Sequence, residues 1–262
     1  MSSEVIVTTL RAAGCVFAED EAELIISTAR DSTELARMVD QRVTGLPLEH
    51  VLGWAEFCGL RITVDPGVFV PRRRTEFLVS EAVAMSRPGA VVVDLCCGSG
   101  ALGVAVASVQ QNIDLYAADV EPAAVRNARR NVVPLGGQVF EGDLFDALPV
   151  ALRGRIELLL SNVPYVPSSE VRLLPGEARL HEPLVTLDGG SDGLDLLRRV
   201  AAEAGSWLAP GGKVFVETSE LQALTAVAIF EQHGLDARVA TSEELFATVV
   251  VGTSADRSVR RT

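Results

Sequence analysis

The segment Asn162-Val163-Pro164-Tyr165 sets two oxygen acceptors and an aromatic ring within four residues. The Asn162 side-chain oxygen and the Pro164 carbonyl could each accept one N–H of a flat amide or amine. Proline has no N–H, so its carbonyl can face a ligand without a competing ladder bond. Tyr165 offers a ring face over a planar group, and Val163 contributes shape. Two acceptors on one –NH₂ would fix its orientation and stabilise positive charge developing on nitrogen. That suits group transfer to a planar nitrogen, where alignment with the donor supplies much of the rate. In isolation the same residues read equally as a Pro-bearing turn with a capping asparagine.

A second set lies upstream, at three predicted strand ends. Asp94-Leu95-Cys96-Cys97-Gly98-Ser99-Gly100 closes a strand and opens a helix. Gly98 and Gly100 let the backbone turn tightly and approach a ligand, and the helix start behind them presents free N–H groups to an anion. Gly98 to Gly103 matches the dinucleotide pattern G-x-G-x-x-G, which alone is a weak signal. Asp94 argues against a pyrophosphate there, because an acid repels phosphate and accepts from an ammonium. Asp119 ends the next strand and could accept both ribose hydroxyls. Asp143, followed by Leu144 and Phe145, could accept an adenine amine beside an apolar flank. Each acid alone could be a helix cap or turn residue. Together with the glycine turn they describe a cationic nucleoside, which S-adenosylmethionine fits better than NAD.

These residues need a scaffold. Apolar runs at 90–95, 113–119, 138–143, 156–162 and 213–218 read as strands alternating with helices near 75–85, 101–109, 121–131 and 193–207. Pro210-Gly211-Gly212 reads as a turn. Two last strands near 235–240 and 246–252 suggest an antiparallel edge hairpin. Near-unbroken apolar strands indicate a sheet covered on both faces. The fold class is therefore α/β: a doubly wound, mostly parallel, seven-stranded Rossmann-like sheet. Ahead of it, residues 1–50 read as short helices, with Asp31 capping the third, and 51–74 as a linking β-hairpin. The main domain spans 75–254, and the tail from 255 on reads as frayed.

The Asn-x-Pro-Tyr loop resembles the Asn-Pro-Pro-Tyr signature of methyltransferases acting on planar nitrogens, on adenine or on protein glutamine. Within that group, residues 45–79 resemble the linker of the release-factor glutamine methyltransferases. They carry Gly45-Leu46-Pro47, a Phe57-Cys58-Gly59 step and Pro71-Arg72-Arg73-Arg74-Thr75-Glu76. Residues 179–184 and the glycines 189, 190 and 193 follow the same pattern. Three positions depart from it: Val163 for proline, Arg73 for proline and Cys96 for glycine. The helical region is also short.

The resemblance implies methylation of a glutamine side chain in a protein, with a release factor as candidate acceptor, and release of S-adenosylhomocysteine. It implies cofactor contacts at Thr75, Asp94, Cys96, Gly98, Ser99, Gly100, Asp119, Val120, Asp143, Leu144 and Asn162. The acceptor would lie against Asn162, Val163, Pro164 and Tyr165. Thr75 also reads as a plain helix cap. Two alternatives stay open: a methyltransferase for adenine or a small-molecule amine, and a non-catalytic S-adenosylmethionine-binding protein.

Composition narrows these. The net charge of −12, from 23 basic and 35 acidic residues, disfavours tight binding to bulk nucleic acid. The four cysteines have neither zinc-knuckle nor disulfide-framework spacing and read as reduced thiols of a cytoplasmic protein. The isolated histidines 50, 181 and 233 suggest no metal. No apolar run is long enough to span a bilayer.

Overall fold

The computed structural model describes residues 1–255. The frayed tail expected from residue 255 onward lies outside them, apart from Ala255.

Four helices open the chain: α1 (Ser3–Ala12), α2 (Ala18–Thr28), α3 (Ser32–Val43) and α4 (Leu48–Leu52). Asp31 caps α3, its carboxylate accepting from the N–H groups of Thr33 and Glu34 at 2.9 and 2.8 Å. These helices bury Ile6, Leu10, Ile25 and Met38 in a core of their own. The single turn α4 is too short to show a periodicity, and it runs across the boundary expected at residue 50. Its first-turn side chain His50 is buried, with Nε2 2.9 Å from the Val68 carbonyl. The hairpin follows as β1 (Trp54–Phe57) and β2 (Leu60–Thr63), shorter than the alternating pattern suggested.

The main sheet has seven strands in the order β5-β4-β3-β6-β7-β9-β8. They are β3 (Val91–Leu95), β4 (Asp114–Asp119), β5 (Gln138–Glu141), β6 (Ile156–Ser161), β7 (Leu208–Thr218), β8 (Leu235–Ser242) and β9 (Ala247–Ser254). Strands β3 to β7 pair in parallel, and β9 inserts antiparallel between β7 and β8. Order reverses between β3 and β6, the position where open sheets leave a ligand crevice.

Helices α5 (Glu76–Ala84), α6 (Ala101–Val109) and α7 (Pro122–Val132) cover one face. The other is covered by α9 (Asp195–Trp207) and α10 (Ala223–Gln232), with α8 (Gly176–His181) lying in the long connection after β6. Strand β3 shows why its sequence is uniformly apolar: Val91, Val93 and Leu95 enter one core and Val92 the other. One expectation fails here. Pro210-Gly211-Gly212 is no turn between elements but an irregularity inside β7, with a register shift against Ile156 and Leu158. Pairing with β6 on both sides carries the strand through.

Arg42 joins the helical region to the rest. Its buried guanidinium binds Glu21 at 2.6 Å and Glu177 of α8 at 2.5 Å. No helix among the described residues is long and apolar enough to cross a membrane.

Candidate active site

The first wall of the site is the turn between β3 and α6. Cys96, Gly98 and Gly100 all have positive φ, at +57°, +54° and +78°. Asp119, at the end of β4, ties this turn down: its carboxylate accepts from Gly98 N–H at 2.8 Å and from Glu121 N–H at 2.9 Å. It is therefore a turn anchor and a wall residue at once, and no helix cap, since α7 begins at Pro122 with Glu121 as its N-cap. Each oxygen makes one bond, and an ionised carboxylate accepts about four. Burial is the main cause that raises its pKa, and the two backbone N–H groups oppose that.

Gly100, expected at the cofactor, does not line the cavity; packing requires a glycine there. A Cβ would lie 2.8 Å from Val132 of α7, so the residue lets two helices close up. Cys96 holds a left-handed conformation that costs an L-residue about 1–2 kcal/mol. It fills the position where the resemblance expects glycine. Burial pushes its thiol well above the usual range.

Two of the expected cofactor acids stand elsewhere. Asp94 is fully buried beneath the turn, where Oδ2 accepts from Gly103 N–H at 2.9 Å. Burial raises its pKa, its Oδ1 has no partner among the described residues, and it does not line the cavity. Its work is to seat α6 on β3. Asp143 is exposed and pairs with Arg199 of α9 at 2.7 Å. Neither it nor Leu144, buried in the core beneath, lines the cavity. A strand-end acid near a strong cation turns toward that cation.

The second wall is the loop after β6. Val163 is buried, and the loop is backed by residues 187–193. Val166 N–H donates to Leu187 at 3.3 Å, and Gly189 N–H donates to Val166 at 2.8 Å. Gln222 donates through Nε2 to the Tyr165 and Asp192 carbonyls at 2.9 and 2.8 Å. With these contacts in place, neither the Asn162 side chain nor the Pro164 carbonyl has a hydrogen-bond partner among the described residues.

Gly193 permits that backing. A Cβ would lie 2.2 Å from the Tyr165 carbonyl oxygen, and φ is +77°. Gly193→Ala should therefore destabilise the fold by roughly 2–3 kcal/mol and displace Tyr165. A urea denaturation curve checks this, and an unchanged midpoint would contradict it.

Charged residues complete the rim. Glu217 of β7 is buried, and its Oε1 accepts from Tyr165 Oη at 2.7 Å and Arg74 Nε at 3.0 Å. Glu217 was not among the sequence candidates, although it ends an apolar strand as Asp94 and Asp119 do. Arg72 pairs with buried Glu182 at 2.7 Å, pinning the connection after β6. The Thr75 side chain makes no cap bond: it lies in a short 3-10 turn, fully buried, with Oγ1 unpartnered among the described residues.

Between the walls is a cavity of about 360 Å³, within the size range of small-molecule sites. Cys96, Gly98, Ser99, Asp119 and Val120 line one end, Asn162 to Val166 the other, with Thr75 and Glu217 also in its wall.

The Methyltransferase small domain family model matches residues 59–179. A release factor glutamine methyltransferase of Geobacter sulfurreducens is 39% identical over 199 residues, covering 75% of this chain and 69% of that protein. A 4-amino-L-phenylalanine/4-methylamino-L-phenylalanine methyltransferase of Streptomyces pristinaespiralis is 35% identical, with coverage of 75% and 69%. Among solved structures, a methyltransferase from Pyrococcus furiosus shares the fold, with a TM-score of 0.57 at 16% identity over 86% of this chain and 100% of that one. The seven-stranded sheet, the free acceptors of the Asn-x-Pro-Tyr loop and these likenesses lead to one conclusion: the chain belongs to the release factor glutamine methyltransferase family.

Proposed function

We propose that this protein transfers a methyl group from S-adenosylmethionine to the side-chain amide nitrogen of a glutamine in a protein, a peptide chain release factor. The observation that carries the reading is that Asn162 and Pro164, whose side-chain oxygen and carbonyl have no hydrogen-bond partner among the described residues, line the same cavity as the glycine turn.

The residues fit the cofactor. Thr75 Oγ1 is buried at the cavity without a partner, as a donor to a carboxylate would be. Asp119 keeps spare lone pairs for ribose hydroxyls. When bound, S-adenosylmethionine supplies an electrophilic methyl on a sulfonium.

An amide nitrogen is a weak nucleophile because its lone pair is delocalised. Asn162 and Pro164 each accept one of its N–H groups, which orients the nitrogen and stabilises the charge it gains. Tyr165, fixed by Glu217 and Gln222, covers the flat group. The product amide gives up one proton after transfer, so no strong base is required at the site. Val163 replaces a proline yet leaves both acceptors in place.

The Streptomyces pristinaespiralis relative favours a second reading, in which the acceptor is an aromatic amine. One experiment separates the readings. The protein is incubated with labelled S-adenosylmethionine and a cell lysate supplemented with release factor, and labelled species are identified by mass spectrometry. Label on a release-factor glutamine is expected. Label on a small amine or nucleic acid would support the alternative acceptors, and no label would support a non-catalytic binder.

A further inference from the structure

Strands β6 and β7 pair in parallel with Ser161 opposite Val216. Asn162, the residue after β6, therefore lies beside Glu217, which stays in β7 and pairs with Val249 of β9, at the ordinary strand spacing of about 4.8 Å. Both line the same cavity.

The two Glu217 oxygens are not equivalent. Oε1 accepts from Tyr165 Oη and Arg74 Nε, while Oε2 is buried without any partner among the described residues. A buried acceptor left unpaired costs free energy, so its persistence beside the acceptor loop calls for a donor that arrives with a ligand. Arg74 does not fill that need. Its side chain is half exposed, lies 5.7 Å from the Tyr165 ring centre and approaches Oε1 only.

We infer that Glu217 is a specificity-determining residue of the acceptor subsite: its Oε2 shares with the neighbouring Asn162 Oδ1 the amide N–H that Asn162 accepts, and the subsite thereby selects glutamine over glutamate. The inference rests on the amide-methylation reading. An acceptor carboxylate brings no N–H to Oε2 and sets a second negative charge against it, whereas an amide satisfies it. Sites built to bind an N–H reject analogues lacking one far more strongly than apolar pockets reject a size change. Tyr165 and Arg74 hold the carboxylate in place from its other oxygen, so Glu217 is presented rather than free to swing away.

The test is calorimetric binding of two forms of a release factor, the natural one and one with glutamate at the acceptor glutamine, in the presence of S-adenosylhomocysteine. Wild-type protein should bind the amide form at least about tenfold more tightly. Glu217→Gln keeps an acceptor for Tyr165 and Arg74 at Oε1 but places an amide at the other position. It should cut the preference to within about threefold, mainly by tightening the glutamate form. A purely structural Glu217 would weaken both forms together. An unchanged preference in E217Q overturns the inference, as does wild-type protein that binds both forms equally or neither. If wild-type protein prefers the amide form yet transfers no methyl to it, the proposed reaction fails and the selectivity stands.

Discussion

Asn162→Ala should leave a folded protein that still binds S-adenosylmethionine and no longer methylates its acceptor. Among the described residues the Asn162 side chain makes no hydrogen bond, and the loop is fixed through the Tyr165 and Val166 backbone, by Gln222 and residues 187–193. Truncation there removes an acceptor from the site at little structural cost. Loss of one preorganised polar group aimed at developing charge lowers turnover by about 10²–10³-fold, and misalignment of a weak nucleophile adds to that. Single-turnover methylation should fall by about 10³-fold, with the cofactor dissociation constant within about fivefold of wild type. Turnover unaltered in the variant would remove Asn162 from the reaction. A matched loss of cofactor binding would place the side chain at the cofactor instead.

The scaffold of this site was legible because burial writes itself into composition. Strand β3 faces two cores, and a strand buried on both sides can carry little but valine and leucine. The Asn162 loop and the glycine turn were legible because residue type constrains what each can offer. The finer roles were not. Asp94, Asp119 and Asp143 end their strands alike in sequence, yet one seats a helix, one ties the turn and one meets Arg199. Which partner each carboxylate finds depends on residues 9, 21 and 56 positions away, and no local pattern encodes that. Glu217, near the end of its strand like the others, escaped notice because the apolar pattern it closes already had an explanation. Pro210-Gly211-Gly212 misled because turn chemistry is compatible with a strand irregularity when a neighbour supplies the pairing.

The arginine run shows how position divides a repeated residue type. Arg72 reaches Glu182 and Arg74 reaches Glu217. A run that reads as one basic patch is thus split, with two members committed to carboxylates in the wall and rim of the cavity. Arg42, far upstream, reaches Glu177 in the same connection after β6. That connection is consequently fastened to the helical region at one point and to the segment before α5 at another.

Asp119→Ala should have the largest effect on cofactor binding. The carboxylate lines the cavity and is also the anchor for Gly98 and Glu121 N–H groups. Hydrogen bonds to a charged group contribute about 1.5–3 kcal/mol each, so its removal relaxes the left-handed turn that shapes the cofactor end. Any ribose contact is lost as well. Affinity for S-adenosylmethionine should drop by about 100-fold or more, since 1.4 kcal/mol is a factor of ten. Asp119→Asn separates the two contributions. It keeps one carbonyl oxygen as an acceptor but turns an amide toward one of the two N–H donors, so its affinity should fall between wild type and alanine. The thermal midpoint should follow the same order, because the anchor serves the empty protein too. An Asp119→Ala protein with a calorimetric affinity within threefold of wild type would mean that the cofactor is held elsewhere than at this turn.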